Sequence, residues 1–203
     1  MKVKITFTEP LLGTLSGNKE IAEEFIISRH PDGSSEEESA AIPEEQLEKS
    51  STIFARTDGR PHLWNYQVEG LFKEACAAMI HNEVFTKEEL KKVRLTEYLY
   101  KKTIDEAVFV NPRKIFLELP DGTDSSNLDF CERPLRGQTM RGERIALARS
   151  EMVPADTTIT IEVEALNPKL MSFVKLWLDY GRRKGLGQWR NSGMGRFVWE
   201  EVE

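Results

Sequence analysis

Cysteine is nearly missing from this chain: among 203 residues there are two, Cys76 and Cys131, in no CxxC and beside no histidine. Two thiols so placed cannot build a disulfide framework or a four-ligand zinc site, so both are expected to be reduced and structural. No run of about 18 apolar residues is present to span a bilayer. The N-terminal MKVKITFTEP lacks the continuous apolar stretch of a signal peptide, which predicts a cytoplasmic protein with no membrane partner. Neither HExxH nor GxSxG occurs, and no paired-carboxylate spacing is seen, so metal hydrolysis and serine chemistry have no footing. No metal or other cofactor is expected. Internal repeats and low-complexity tracts are also missing.

What remains is the composition of a soluble globular protein, 39% hydrophobic and 31% charged, long enough for one elaborated domain spanning residues 1–203. The net charge of −6 argues against general nucleic-acid binding, yet the charge is unevenly spread. Residues 19–50 carry −7, with ten acids against Lys19, Arg29 and Lys49. Residues 133–149 carry +4, with five arginines against Glu143, and residues 181–196 carry +5, from Arg182, Arg183, Lys184, Arg190 and Arg196. Screened charges act over only about 8–10 Å, so an acidic protein can still offer a local anion-binding surface.

Periodicity gives the elements. VKITFTEP alternates Val3, Ile5 and Phe7 with polar residues, as a half-buried strand does. Residues 17–50 read as an acidic insertion, with HPDGSSEEES as a loop and a short helix opening at Pro43–Glu44–Glu45. Val68, Leu71, Phe72, Ala75, Cys76 and Met79 recur at helical spacing. Thr86 and Glu89 make a capping box for a second helical stretch over residues 86–104. KIFLELPDG is read as the next strand, with Ile115, Leu117 and Leu119 on one face. Residues 120–157 form a long excursion in which Arg133, Arg136, Arg141 and Arg144 lie near Gly137 and Gly142. Two readings fit it: a hairpin that follows a nucleic-acid backbone, or a loop packed on the acidic insertion. TTITIEVEAL alternates as a strand, Asn167–Pro168 starts an amphipathic helix through Trp177, and GRFVWEEVE supplies the last strand. The predicted class is α+β, with the strand and helix order βαββαβ of a ferredoxin-like (RRM-like) domain bearing long insertions after its first strand and between its second and third.

GLGQWRNSGMGRF, Gly185 to Phe197, packs four glycines into eleven residues between the last helix and the last strand. Glycine permits φ > 0 and close backbone approach, and clustered N–H groups beside cations can cradle an anion. A P-loop or dinucleotide fingerprint would open a helix, and this loop opens a strand. Its pattern is Gly185-Leu186-Gly187, five residues containing Arg190, Gly193-Met194-Gly195, then Arg196 and Phe197. It resembles the signature loop of the RAMP superfamily, the RRM-like RNA-binding proteins of CRISPR systems. TDGRPHLWNYQVEGLFKEA resembles a second segment of that family, with Asp58, Pro61, Gly70 and Lys73 in similar places and Glu69 where a basic residue is usual.

The resemblance is nearest to the backbone subunits that coat guide RNA. It implies a non-catalytic protein whose glycine loop and sheet face hold RNA, expected to be single-stranded, and whose partners include other CRISPR-type subunits or copies of itself. Arg190 is the main phosphate candidate, with Gly185, Gly187, Gly193, Gly195, Arg196, Arg182, Lys184, Arg136, Arg141 and Lys73 completing the expected RNA-binding set. Trp189 is read either as a packing anchor or as a stacking platform. Asp58 is read as a turn residue or as a match to the family's functional aspartate. Two alternatives stand beside this reading: a metal-independent endoribonuclease using His30 or His62, and a phage or mobile-element interaction protein that mimics a CRISPR subunit.

Overall fold

The computed structural model describes residues 1–16, 51–139 and 142–203, and of residues 135–139 and 142–146 it describes the backbone. The acidic insertion, with its expected loop, its short helix and His30, lies outside the described residues, as does Arg141.

The core sheet has four antiparallel strands. β1 (Lys2–Phe7) lies at its centre, between β12 (Phe197–Val202) and β11 (Thr158–Ala165), and β7 (Val108–Asn111) pairs with the far side of β11. Alternation decides the faces. Val3, Ile5, Phe7, Ile159, Ile161, Val163, Val108 and Val110 are all 1% exposed or less and face the helices. Two helices cover that face: α1 (Asn65–His81), presenting Val68, Leu71, Phe72, Ala75 and Cys76, and α4 (Leu170–Lys184), presenting Leu170, Val174, Trp177 and Leu178. Phe7 meets Phe197 edge-on with centroids 6.1 Å apart, and Phe72 leans on Trp177 at 5.6 Å, so sheet and helices share one apolar core.

Two shorter helices, α2 (Lys87–Lys92) and α3 (Tyr100–Ala107), separate α1 from β7. Thr86 caps α2 as its sequence predicts, its hydroxyl accepting from Glu89 N while Glu89 Oε2 accepts from Thr86 N at 2.9 Å. The second core strand is a correction. KIFLELPDG is expected to supply it, but VFVN, directly after α3, pairs with β11, and only Lys114–Phe116 is a strand, β8, in a different sheet. The last helix also starts at Leu170, two residues beyond the expected Pro168, because Asn167 and Pro168 form the turn that precedes it.

Two further sheets stand beside the core. β5 (Ala55–Thr57), β6 (Arg60–Trp64) and β8 form a three-stranded antiparallel sheet. Asp58 (φ 51°) and Gly59 (φ 74°) join β5 to β6 with both central residues left-handed, the geometry of a two-residue hairpin turn, which settles TDG structurally as a turn. The excursion is a long hairpin of β9 (Asp129–Thr139) and β10 (Gly142–Val153), paired from Thr139↔Gly142 back to Asp129↔Met152. Its base is sewn to β2 (Leu11–Leu12) and β4 (Ser51–Ile53), and β3 (Leu15–Ser16) extends that sheet. Glu151, 4% exposed, ties this corner together: it accepts from Phe54 N at 2.8 Å and is ion-paired with Arg56.

Candidate functional site

The glycine loop leaves α4 at Gly185 and reaches β12 at Phe197. Its four glycines all have positive φ, between 68° and 89°. At three of them, Gly185, Gly187 and Gly195, neighbouring backbone leaves no room for a side chain. A Cβ on Gly195 would collide with the Leu186 carbonyl, and one on Gly187 would sit 2.8 Å from Leu12 O. Those approaches exist because the loop folds onto itself and onto the chain after β1. Leu186 N donates to Gly195 O at 2.9 Å, Gly195 N donates to Pro10 O at 2.8 Å, and the Leu186 side chain, 4% exposed, plugs into the core. The amides of Gly185, Ser192 and Gly193 also donate to the protein's own carbonyls, so much of the expected anion cradle is engaged internally. The loop is a rigid mount for side chains.

What it mounts is a single 3₁₀ turn, Arg190–Ser192, whose three residues are each gripped by a different element. Arg190 Nη1 donates to Glu74 Oε2 of α1 at 2.5 Å. Lys184 Nζ of α4 donates to Asn191 Oδ1 at 3.1 Å. Arg133 of β9 donates to Ser192 Oγ. The last contact brings the two arginine-rich segments of the sequence onto one surface. Arg196 joins them, since its guanidinium carbon lies 3.8 Å from where a Gly193 Cβ would be. Arg133 and Arg196 are exposed and have no carboxylate partner among the described residues.

The other expected cations are engaged differently. Glu74 holds Arg190 and also has Lys184 Nζ at 3.8 Å and the Tyr180 hydroxyl at 3.5 Å. Burial, with Glu74 beside it, pushes the Tyr180 phenol above its ordinary value, so it stays a neutral donor. Arg182 pairs with Asp179 one turn back, 3.6 Å away. Lys73 lies on another face of α1, one residue and so about 100° round from Glu74, ion-paired with Asp105 of α3. Glu69 stands beside Lys73, and burial raises its carboxyl above the usual value despite that lysine. The side chain of Arg136 lies outside the described residues.

The solvent-facing side of the four-stranded sheet carries Lys2 and Lys4 against Glu162, Glu164 and Glu200, with Phe109 and Val198 exposed on its two edge strands. Its charge opposes a phosphate backbone, so the cationic surface is at the loop and not on the sheet. His62 is 1% exposed, edge-on to Trp64 and Phe116, with Nε2 3.2 Å from Thr57 Oγ1. His81 lies in the last turn of α1, where a cation suits the helix dipole. No cluster of three potential metal ligands is present among the described residues. No helix among them is long and apolar enough to cross a membrane.

Between the loop and the start of α1 runs a cleft of about 340 Å³. Phe54, Ala55, His62, Leu63 and Trp64 form its floor, and Tyr66, Gly70, Glu74, Gly187 and Arg190 border it. Sequence spacing singles out Gly187, Arg190 and His62 but not the cleft they share, because its walls come from four separate segments.

No family model and no curated protein matches the sequence. Solved structures do match in fold. A chain of the Type III-B Cmr-beta complex bound to cognate target RNA aligns with 100% of this chain at TM-score 0.52 and 10% identity, and this chain covers 58% of it. A chain of a Type IV-B CRISPR complex aligns with 98% of this chain, and 88% of its own length, at TM-score 0.51 and 10% identity. Cmr6 from Pyrococcus furiosus aligns with 100% of this chain and 97% of its own at TM-score 0.49 and 14% identity. This chain thus spans less than two thirds of the Cmr-beta subunit it matches, and at these identities the shared property is the fold.

Proposed function

We propose that this chain, which shares its fold with subunits of CRISPR complexes, is a non-catalytic RNA-binding protein of RAMP type that grips the backbone of single-stranded RNA at the 3₁₀ turn of its glycine loop. The observation that carries the reading is the meeting of Arg133 with Ser192, which sets that hairpin cation on the turn that leads through Gly193 to Arg196. Arginine guanidinium groups make salt-dependent, sequence-independent phosphate contacts, and preorganised ones lose less entropy on binding. The sheet order β12-β1-β11-β7, reached through α1 and α4, supports reading the core as a ferredoxin-like βαββαβ domain. In that reading β7 is the second strand, and the long hairpin is the insertion between the second and third.

The test is fluorescence anisotropy with a labelled single-stranded RNA. Binding should weaken as salt rises, and the pair Arg133→Ala and Arg196→Ala should lower affinity about a hundredfold, at about 1.5 kcal/mol for each lost charged hydrogen bond. Unchanged binding by the double variant would overturn the reading. Other CRISPR-type subunits are the proposed protein partners, on the strength of the complexes in which the fold neighbours occur.

A further inference from the structure

Glu74 sets an acid against the cationic turn, and orienting Arg190 uses only part of what a carboxylate offers. Its two oxygens can accept about four hydrogen bonds. Oε2 takes Arg190 Nη1 at 2.5 Å, whereas Oε1 has the Tyr180 hydroxyl at 3.5 Å and Lys184 Nζ at 3.8 Å, both long for a hydrogen bond. Oε1 therefore keeps accepting capacity. It is also within reach, since the Glu74 side chain is 35% exposed and borders the cleft beside the loop. Gly70, one helical turn earlier on the same face, has no side chain to cover it, and a Cβ there would meet nothing within 4 Å.

What such an oxygen can receive is narrow. A phosphate or a carbonyl is itself an acceptor and is repelled, so only a donor fits. Along a nucleic-acid backbone the donor is the ribose 2′-hydroxyl, which RNA has and DNA lacks. It belongs to the same nucleotide as a phosphate held at Arg133 and Arg196, on the turn whose first residue Glu74 grips. Cations alone take either kind of strand, because phosphate contacts carry no information about the sugar. We propose that Glu74 Oε1 accepts the 2′-hydroxyl of a nucleotide seated on the 3₁₀ turn, which makes this carboxylate the residue that selects RNA over DNA. The proposal rests on the RNA-binding reading above and adds sugar selectivity to it.

The test compares a uridine oligomer, a deoxyuridine oligomer and a 2′-fluoro oligomer of one length by anisotropy, with circular dichroism as the check on folding. The fluoro strand keeps a ribose-like ring without the donor. Wild type should bind the uridine strand about tenfold tighter than either of the others, as one hydrogen bond to a charged group allows. Glu74→Ala should bind all three alike, and no more weakly than wild type binds the deoxyuridine strand, since Arg190 is then released to phosphate. Glu74→Gln keeps a neutral acceptor and should keep a smaller preference, about threefold. A merely orienting role for Glu74 would change the three affinities in step, so an unchanged preference in Glu74→Ala overturns the proposal. Equal binding of the three strands by wild type overturns it too and leaves backbone binding intact. No binding of any strand by wild type overturns the RNA-binding reading itself, and the sugar contact with it.

Discussion

Glu74 decides what Arg190 and Lys184 can do. One half-buried carboxylate faces both cations and the Tyr180 hydroxyl, so it orients the arginine and also competes with any phosphate brought to it. Half-exposed pairs of this kind contribute at most about 1 kcal/mol, so the fold does not depend on it. Glu74→Gln should therefore leave the melting temperature within a few degrees of wild type and raise RNA affinity severalfold at low salt. Calorimetry and anisotropy on the same preparation check both halves. Cys76 offers a second test at this scale. Burial pushes its thiol up to about 12, so the folded protein keeps the neutral form where the unfolded chain ionises. Stability should be intact below about pH 8.5 and fall as pH rises from there towards 12, since the unfolded state alone releases the proton in that window. A thiol reagent at pH 8 should modify the partly exposed Cys131 quickly and Cys76 only at the rate of unfolding.

At the scale of elements, α1 and the hairpin corner carry opposite kinds of margin. Gly70 occupies an open helical position, so Gly70→Ala should stabilise the protein by about 0.5–1 kcal/mol in urea unfolding. Gly195 is the reverse: Gly195→Ala forces a side chain against the Leu186 carbonyl at positive φ and should cost several kcal/mol or prevent folding. Glu151→Ala leaves the Phe54 amide and the Arg56 guanidinium without their acceptor and should cost about 3 kcal/mol or more. Which elements could be read in advance follows from their length. β1, β11, α1 and α4 run long enough for period two or three to four to show. VFVN has two inward residues, begins where α3 ends with no glycine or proline between, and so was hidden behind the stronger alternation of KIFLEL. Sheet partners choose between two such candidates, and only the fold supplies them.

For the whole molecule, charge is the controlling quantity. A chain of net charge −6 that binds RNA must do so locally, so few phosphates should be engaged. Two to four contacts on a single strand predict a slope of about −1.4 to −2.8 for log K against log salt, measurable by anisotropy at several salt concentrations. A much steeper slope would mean that cations beyond the loop take part.

The sequence by itself determined the α+β class, the alternating and helical faces of the main core elements, the glycine loop between last helix and last strand, and the two cationic segments, because each is written in local spacing. Only the tertiary structure decided that the glycines serve close packing against Leu186 and Leu12, that Glu74 engages Arg190, that Lys73 turns towards Asp105, and that Arg133 meets the loop at Ser192. Each of those is a contact between residues 32 or more positions apart, or an approach of one backbone to another, and no local spacing encodes such a distance except through the fold that closes it.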